Sequence, residues 1–230
     1  MSVPQLPLNL RGPRAAGLDD FVGHPLLVSL LHEIARAERA DWLFIDGPKG
    51  SGRSHLLLAS VAEARRRARE VVYLPLETLG RAAEQACAAV SGEALVAVDD
   101  LQCAAGDAAL ELALFGLHNR CRDGGGQMLY AADAAPTGLA IELPDLRSRL
   151  QQCSRFSLQP LDDQGRREVL RTRAAARGLE LDEAVLDYLF RRHSRDLQAL
   201  TRLLERLDRE SLAAQRRITV PFLRALLGAE

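Results

Sequence analysis

The 230-residue chain predicts an α/β protein, a parallel sheet covered on both faces by helices and followed by a small all-helical domain. Three observations predict it. Short apolar runs alternate with longer stretches of helical period up to Leu158. A glycine-rich loop joins the first of those runs to the helix behind it. After residue 160 the strand signal stops and only helical periodicity remains.

The elements follow in order. Residues 1–17 hold Pro4, Pro7, Gly12, Pro13 and Gly17 without a sustained period, which predicts an extended arm. Leu27, Leu30, Leu31 and Ile34 recur at helical spacing within His24 to Glu38, and Trp42 to Ile45 is a short buried strand. A helix over Ser54 to Arg69 leads to a strand at Val71 to Leu76. Further strands are expected at Ala94 to Val98, Met128 to Ala132 and Arg155 to Leu158, with a helix over Ala108 to Arg122. Strands joined through helices run parallel, and burial on both faces explains why they are apolar throughout rather than alternating. Residues 162–177, 182–192, 194–209 and 219–227 read as helices. Asp162 and Asp182 stand at cap positions, and Thr219 precedes a helix with Pro221 just inside it. The expected organisation is an arm over 1–17, an α/β domain over 18–160 and a helical domain over 161–230.

Composition narrows the function. A net charge of −1 and a pI near 6.5 provide no overall field for holding a phosphate backbone, which argues against autonomous DNA binding. Of the 30 basic residues only Lys49 is lysine, so each arginine has to be argued from its position. Cys87, Cys103, Cys121 and Cys153 form no C-x-x-C pair and read as reduced thiols rather than zinc ligands. No run approaches the length of a membrane span, and a soluble, cytoplasmic protein is expected.

The loop after the first strand reads Gly47-Pro48-Lys49-Gly50-Ser51-Gly52-Arg53-Ser54, followed by the apolar helix from His55. This is the phosphate-loop pattern G-x-x-x-x-G-K-[ST] with Arg53 in the lysine position. Glycines there let successive N–H groups turn toward phosphate oxygens, and the helix N-terminus adds a favourable field for an anion. Ser54 supplies a hydroxyl for Mg²⁺, and Arg53 can still reach phosphates through a planar fork. Binding should survive that change, whereas fast hydrolysis need not. Ala94 to Asp100 is an apolar strand ending in two carboxylates: Asp99 is the candidate on the metal side, and Asp100 would address the attacking water.

Together, Asp19-Asp20-Phe21-Val22, Gly47 to His55, Asp99-Asp100 and Ala131-Ala132-Asp133 resemble the AAA+ module of the bacterial replication initiator DnaA. The resemblance extends from residue 18 to residue 230. It implies that Phe21 and Val22 flank an adenine, that Asp133 is the sensor 1 residue, and that Arg195 in His193 to Leu197 folds over the phosphates. Leu143 to Leu150 resembles the segment bearing the arginine finger, with Arg149 at the finger position. From the residues alone, Arg147 competes for that role and a structural ion pair is the alternative for Arg149.

No helix-turn-helix domain follows before Glu230, and the expectation is that the chain is not itself an origin-binding initiator. Gln5-Leu6-Pro7-Leu8-Asn9-Leu10 is similar to the peptides that dock on the bacterial sliding clamp: an extended, proline-stiffened segment with leucines for an apolar pocket. The combination resembles the DnaA regulatory inactivator family, Hda, which also carries arginine at the loop lysine position. That resemblance implies ADP (or ATP) as ligand, with Mg²⁺ possible, and the sliding clamp (beta subunit) and DnaA as partners. DNA would be met only through the clamp at the replisome, no membrane would be involved, and a homo-oligomer is possible. It further implies stimulation of the initiator's ATP hydrolysis rather than robust turnover by the chain itself. The alternatives are an active ATPase of the helicase-loader or clamp-loader type, a scaffold that does not act on nucleotide, and a paralogue that bridges DNA-bound initiators.

Overall fold

A computed structural model describes residues 17–175, 177–192, 197–214 and 218–227. After a short 3₁₀ turn at Leu18–Asp20 the order is α1 (Pro25–Ala35), β1 (Leu43–Asp46), α2 (Arg53–Arg66), β2 (Val71–Pro75), α3 (Leu76–Leu79), α4 (Ala83–Ala88) and β3 (Leu95–Asp99). It continues with α5 (Ala108–Gly124), β4 (Gln127–Ala132), α6 (Pro144–Gln152), β5 (Ser154–Ser157), α7 (Asp163–Ala175), α8 (Glu183–Arg192), α9 (Leu197–Ala214) and α10 (Val220–Leu227).

The five strands form one parallel sheet in the order β2-β3-β4-β1-β5. Alternate side chains go to opposite faces. Leu43 and Ile45 of β1 join Leu95, Ala97, Leu129 and Ala131 against α1 and α2, while Phe44 joins Val96, Val98, Met128 and Tyr130 against α4, α5 and α6. β1, β3 and β4 are buried at every position, whereas the edge strand β5 is largely exposed. The center of the sheet is thus dry, and every loop at its C-terminal edge starts from a rigid strand end.

The strands lie within a residue or two of their expected places. The first two helices are shorter than their periodicity suggested, because Ala37 and Ala68 adopt positive φ (59° and 58°) and turn the chain just past α1 and α2. α3 and α4 were not expected, since four and six residues are too few to reveal a helical period. Conversely, α9 runs on to Ala214.

The C-terminal helices bury Leu170, Ala174, Leu186, Phe190, Leu200 and Leu204 in one cluster and Val185, Leu189, Leu207, Ile218 and Leu223 in another. Their caps are as expected. Asp162 Oδ1 accepts from Gly165 N at 2.7 Å, Asp182 Oδ1 accepts from Val185 N at 2.7 Å, and Thr219 Oγ1 accepts from Phe222 N at 3.4 Å. α7 packs beside the Leu18–Asp20 turn, which brings this helical unit to the rim of the phosphate loop.

Candidate functional site

The loop between β1 and α2 is shaped by two glycines that nothing larger could replace. A Cβ on Gly47 would lie 2.7 Å from the Leu158 carbonyl oxygen and 2.8 Å from Ser51 Oγ. Gly52 has φ +100°, and a Cβ there would lie 2.6 Å from Phe21 Cε2. Phe21 stacks on His55 with ring centroids 6.1 Å apart. With Val22, Gly50, Ser51, Leu161, Val169 and Arg173, these rings line a small apolar recess beside the loop.

The adjoining cavity, about 710 Å³, is lined by Gly50, Gly52, Arg53, Ser54, His55, Asp100 and Asp133 from the α/β unit and by Arg173, Thr201 and Arg202 from the helices beyond it. Arg53, the first residue of α2, is buried, with Nη2 3.8 Å from Asp100 Oδ1 and, among the described residues, no hydrogen-bond partner for Nη1. Ser51 Oγ and His55 Nε2 are likewise buried without a partner among the described residues. Buried donors in this condition are costly unless a ligand satisfies them. A guanidinium, a hydroxyl and a glycine-rich helix start around one space suit a phosphate chain.

At the strand ends the two carboxylates part company. Asp99 is 1% exposed; its Oδ1 accepts from Asp100 N at 3.0 Å and its Oδ2 from the Tyr73 hydroxyl at 2.7 Å. Burial followed by the Asp99 charge pushes the Tyr73 phenol well above the usual range. Asp100, at φ +55°, turns into the cavity, where its Oδ1 accepts from Gln102 Nε2 at 3.1 Å; Gln102 Oε1 in turn accepts from Asp133 N at 3.2 Å. Ser54 and Asp99 are hard oxygen donors of the kind Mg²⁺ takes. Among the described residues, however, no cluster could hold a metal by itself, so phosphate oxygens would have to complete the shell.

Arg149 lies elsewhere. It is on α6 and lines a second cavity, about 300 Å³, with Trp42, His118, Arg122, Gln152, Cys153 and Ser154. Trp42 immediately precedes β1, and Ser154, the first residue of β5, donates its N–H to the Trp42 carbonyl at 2.9 Å. This cavity is therefore at the N-terminal edge of the parallel sheet, one strand length (~13 Å) from the phosphate loop. Among the described residues the half-buried Arg149 guanidinium has no ion pair or hydrogen bond. Arg147 is exposed, with Nη2 3.4 Å from the Glu142 carbonyl oxygen.

α6 is held from below by Glu111 of α5, which is 1% exposed. Its carboxylate accepts from Gly106 N at 3.0 Å, from Glu142 N at 3.0 and 2.9 Å, and from Leu143 N at 2.6 Å. Bound among the described residues by backbone donors, this buried carboxylate fixes the segment that leads into α6 and ties it to the loop that follows the Asp99-Asp100 pair.

Residues 163–227 match the family model described as "Hda, lid domain". The chain is also similar to domain III of DnaA from Thermotoga maritima, at 23% identity and a TM-score of 0.73, over 95% of this chain and 97% of that one. The chain shares the fold of that domain, and its helical end matches the Hda lid. The AMPPCP-bound DnaA from Aquifex aeolicus is similar at 21% identity and a TM-score of 0.69, over 85% of this chain and 65% of that one. A DnaA bound to AMPPCP and single-stranded DNA gives 22% and 0.68, over 83% of this chain and 64% of that one. The chain thus spans just under two thirds of those two initiators.

In this chain Phe21, Val22, Gly50, Ser51, Gly52, Arg53, Ser54, His55 and Asp133 gather around two adjoining spaces, with Gly47 in the same loop. Arg195 and the Gln5, Leu6, Pro7, Leu8 and Leu10 peptide lie outside the described residues. Arg173, Thr201, Gln102, Tyr73 and Glu111 were not anticipated from the sequence. Arg173 and Thr201 stand on separate helices and meet only in the fold, Nη1 to Oγ1 at 2.5 Å. Among the described residues no helix is long and apolar enough to cross a membrane.

Two histidines give the protein an acid limit. Burial, then the Arg173 charge, pushes His55 down to about 4; burial, then Arg149 and Arg122, pushes His118 down to about 4. Both are therefore neutral in the fold at pH 7, and between the ordinary histidine value and about 4 the unfolded chain binds more protons. Stability present at neutral pH should fall on acidification through that window, by ~1.4 kcal/mol per pH unit per histidine. Urea unfolding at pH 7 and pH 5 checks this, and equal midpoints would contradict it.

Proposed function

We propose that this protein is a regulator of replication initiation that binds an adenine nucleotide in its own phosphate loop and stimulates hydrolysis of ATP held by DnaA. The observation that carries the reading is the position of Arg149. It is unpaired among the described residues, lines an open cavity, and lies across the sheet from the chain's own loop, where it suits a nucleotide on another subunit. In that reaction water attacks the γ-phosphorus, the bond to the bridging oxygen of the β-phosphate breaks, and ADP and inorganic phosphate leave. This chain contributes positive charge and gives up no atom.

In its own site, ADP (or ATP) would lie along Gly47 to Ser54 with the base near Phe21 and Val22, and Asp133 would face the phosphates. Mg²⁺, if carried, would lie between the phosphates, Ser54 and the Asp99 side. Arg195, on the segment that resembles sensor 2, would close over the same phosphates. The Arg53–Asp100 pair supports slow intrinsic turnover, because the acid that would orient water is opposed by a guanidinium.

The sliding clamp (beta subunit) is the proposed loading platform, reached through Gln5 to Leu10 at the replisome or nucleoid in the cytoplasm. Phosphate release from ATP-bound DnaA, measured with DNA-loaded clamp and with this chain added, tests the reading. Stimulation is expected, and deletion of residues 1–10 should remove most of it at low protein concentration. Absence of stimulation by the intact chain would sink the proposal. Equal stimulation with and without the peptide would remove the clamp from it.

A further inference from the structure

The cavity that contains Arg149 holds more than one cation. Arg122, near the end of α5, shares its lining with Arg149, and the charges of both reach His118 on its floor. Arg122 is exposed and, among the described residues, pairs only with its neighbour Asp123, Nε to Oδ1 at 3.2 Å, a contact of the solvent-screened kind that yields readily to a stronger anion. Asp41, the one acid in the lining, is taken up by Arg39. His118 is fixed as a neutral wall: its Nδ1 is 2.9 Å from the Tyr130 hydroxyl, and its ring meets Trp42 edge-on with centroids 4.4 Å apart. Two guanidinium groups without a buried counter-charge therefore flank a space floored by aromatic rings. About 300 Å³ is too small for a protein segment of any length but ample for a di- or triphosphate.

We infer that Arg122 and Arg149 together form a two-pronged receptor for the phosphate chain of a nucleotide bound to another subunit, with Arg122 as a positioning cation beside the finger. This rests on the trans-acting role proposed above for Arg149 and goes beyond it. Two planar forks can each take a pair of phosphate oxygens, which fixes the orientation of the chain as well as its charge. One guanidinium meets the transferred group; the other holds the phosphates that stay behind.

The test compares Arg122→Ala, Arg122→Glu, Arg122→Lys and Arg149→Ala in the stimulated hydrolysis assay. In parallel, inorganic tripolyphosphate is titrated against each protein while Trp42 emission is followed, since Trp42 is the only tryptophan in the chain. The expected pattern is a roughly tenfold loss of stimulation for Arg122→Ala, a larger one for Arg122→Glu and partial recovery for Arg122→Lys. Saturable quenching of Trp42 by tripolyphosphate should weaken in both alanine variants. If Arg149→Ala abolishes stimulation while every Arg122 variant behaves as wild type, the second prong is overturned and the finger stands. If Arg149→Ala retains full stimulation, the trans-acting role falls. The receptor then survives only if tripolyphosphate still quenches Trp42 in wild type and loses that effect in the two alanine variants.

Discussion

Replacing Arg149 with alanine is expected to lower stimulated ATP hydrolysis by the initiator ~10³- to 10⁵-fold, the range that a guanidinium supplied in trans contributes to phosphoryl transfer. The folded protein should hardly notice. Among the described residues the guanidinium makes no hydrogen bond or ion pair, and the helix that carries it is anchored through Leu146 and Leu150. Truncation at such a position normally changes stability by no more than about 0.5 kcal/mol. Unfolding by urea and nucleotide binding at the chain's own loop should therefore match wild type while phosphate release collapses. A variant that retained most of its stimulation would move the role to Arg147, for which Arg147→Ala is the companion measurement. Lysine at position 149 should recover only part of the effect, because a point charge cannot reproduce the planar fork.

The second large effect is expected at Glu111, through position rather than contact. Glu111→Ala leaves the Gly106, Glu142 and Leu143 N–H groups without their acceptor in a part-buried place that water can reach only in part. A fully buried orphaned donor costs about 1 kcal/mol or more, and part-buried ones cost less, so a total of about 1–2 kcal/mol should appear as a lower urea midpoint. Because that variant could lose activity simply by unfolding, Glu111→Gln is the sharper probe. It keeps an acceptor and the side-chain shape while removing the charge and one of the two acceptor oxygens. The start of α6 is then held less firmly, and Arg149 with it. Stimulation should fall several-fold in maximal rate, with the initiator concentration needed for half-stimulation little changed. Full stability together with full stimulation for Glu111→Gln would show that the carboxylate does not position the finger.

By itself the sequence determined the α/β order, the phosphate loop and the change to an all-helical end. Those signals are local: apolar runs four to six residues long, glycines at set spacing, and an aspartate or threonine at a helix start are complete within a few residues of chain. Arg53 could be assigned to the loop for the same reason. What the tertiary structure decided are relations between distant segments. The strand order brings the ends of β1, β3 and β4 together, so Asp100, Gln102 and Asp133 converge beside Arg53. Burial distinguishes Asp99, held by Tyr73, from the neighbouring Asp100 that faces the cavity, although as letters the two are alike. Helix phase and neighbours likewise separate Arg149, which lines a pocket, from exposed Arg147 two residues earlier. Glu111 would pass in sequence for one more polar residue on an amphipathic helix; only packing turns it inward, because its partners are backbone groups some thirty residues later, which carry no side-chain signal.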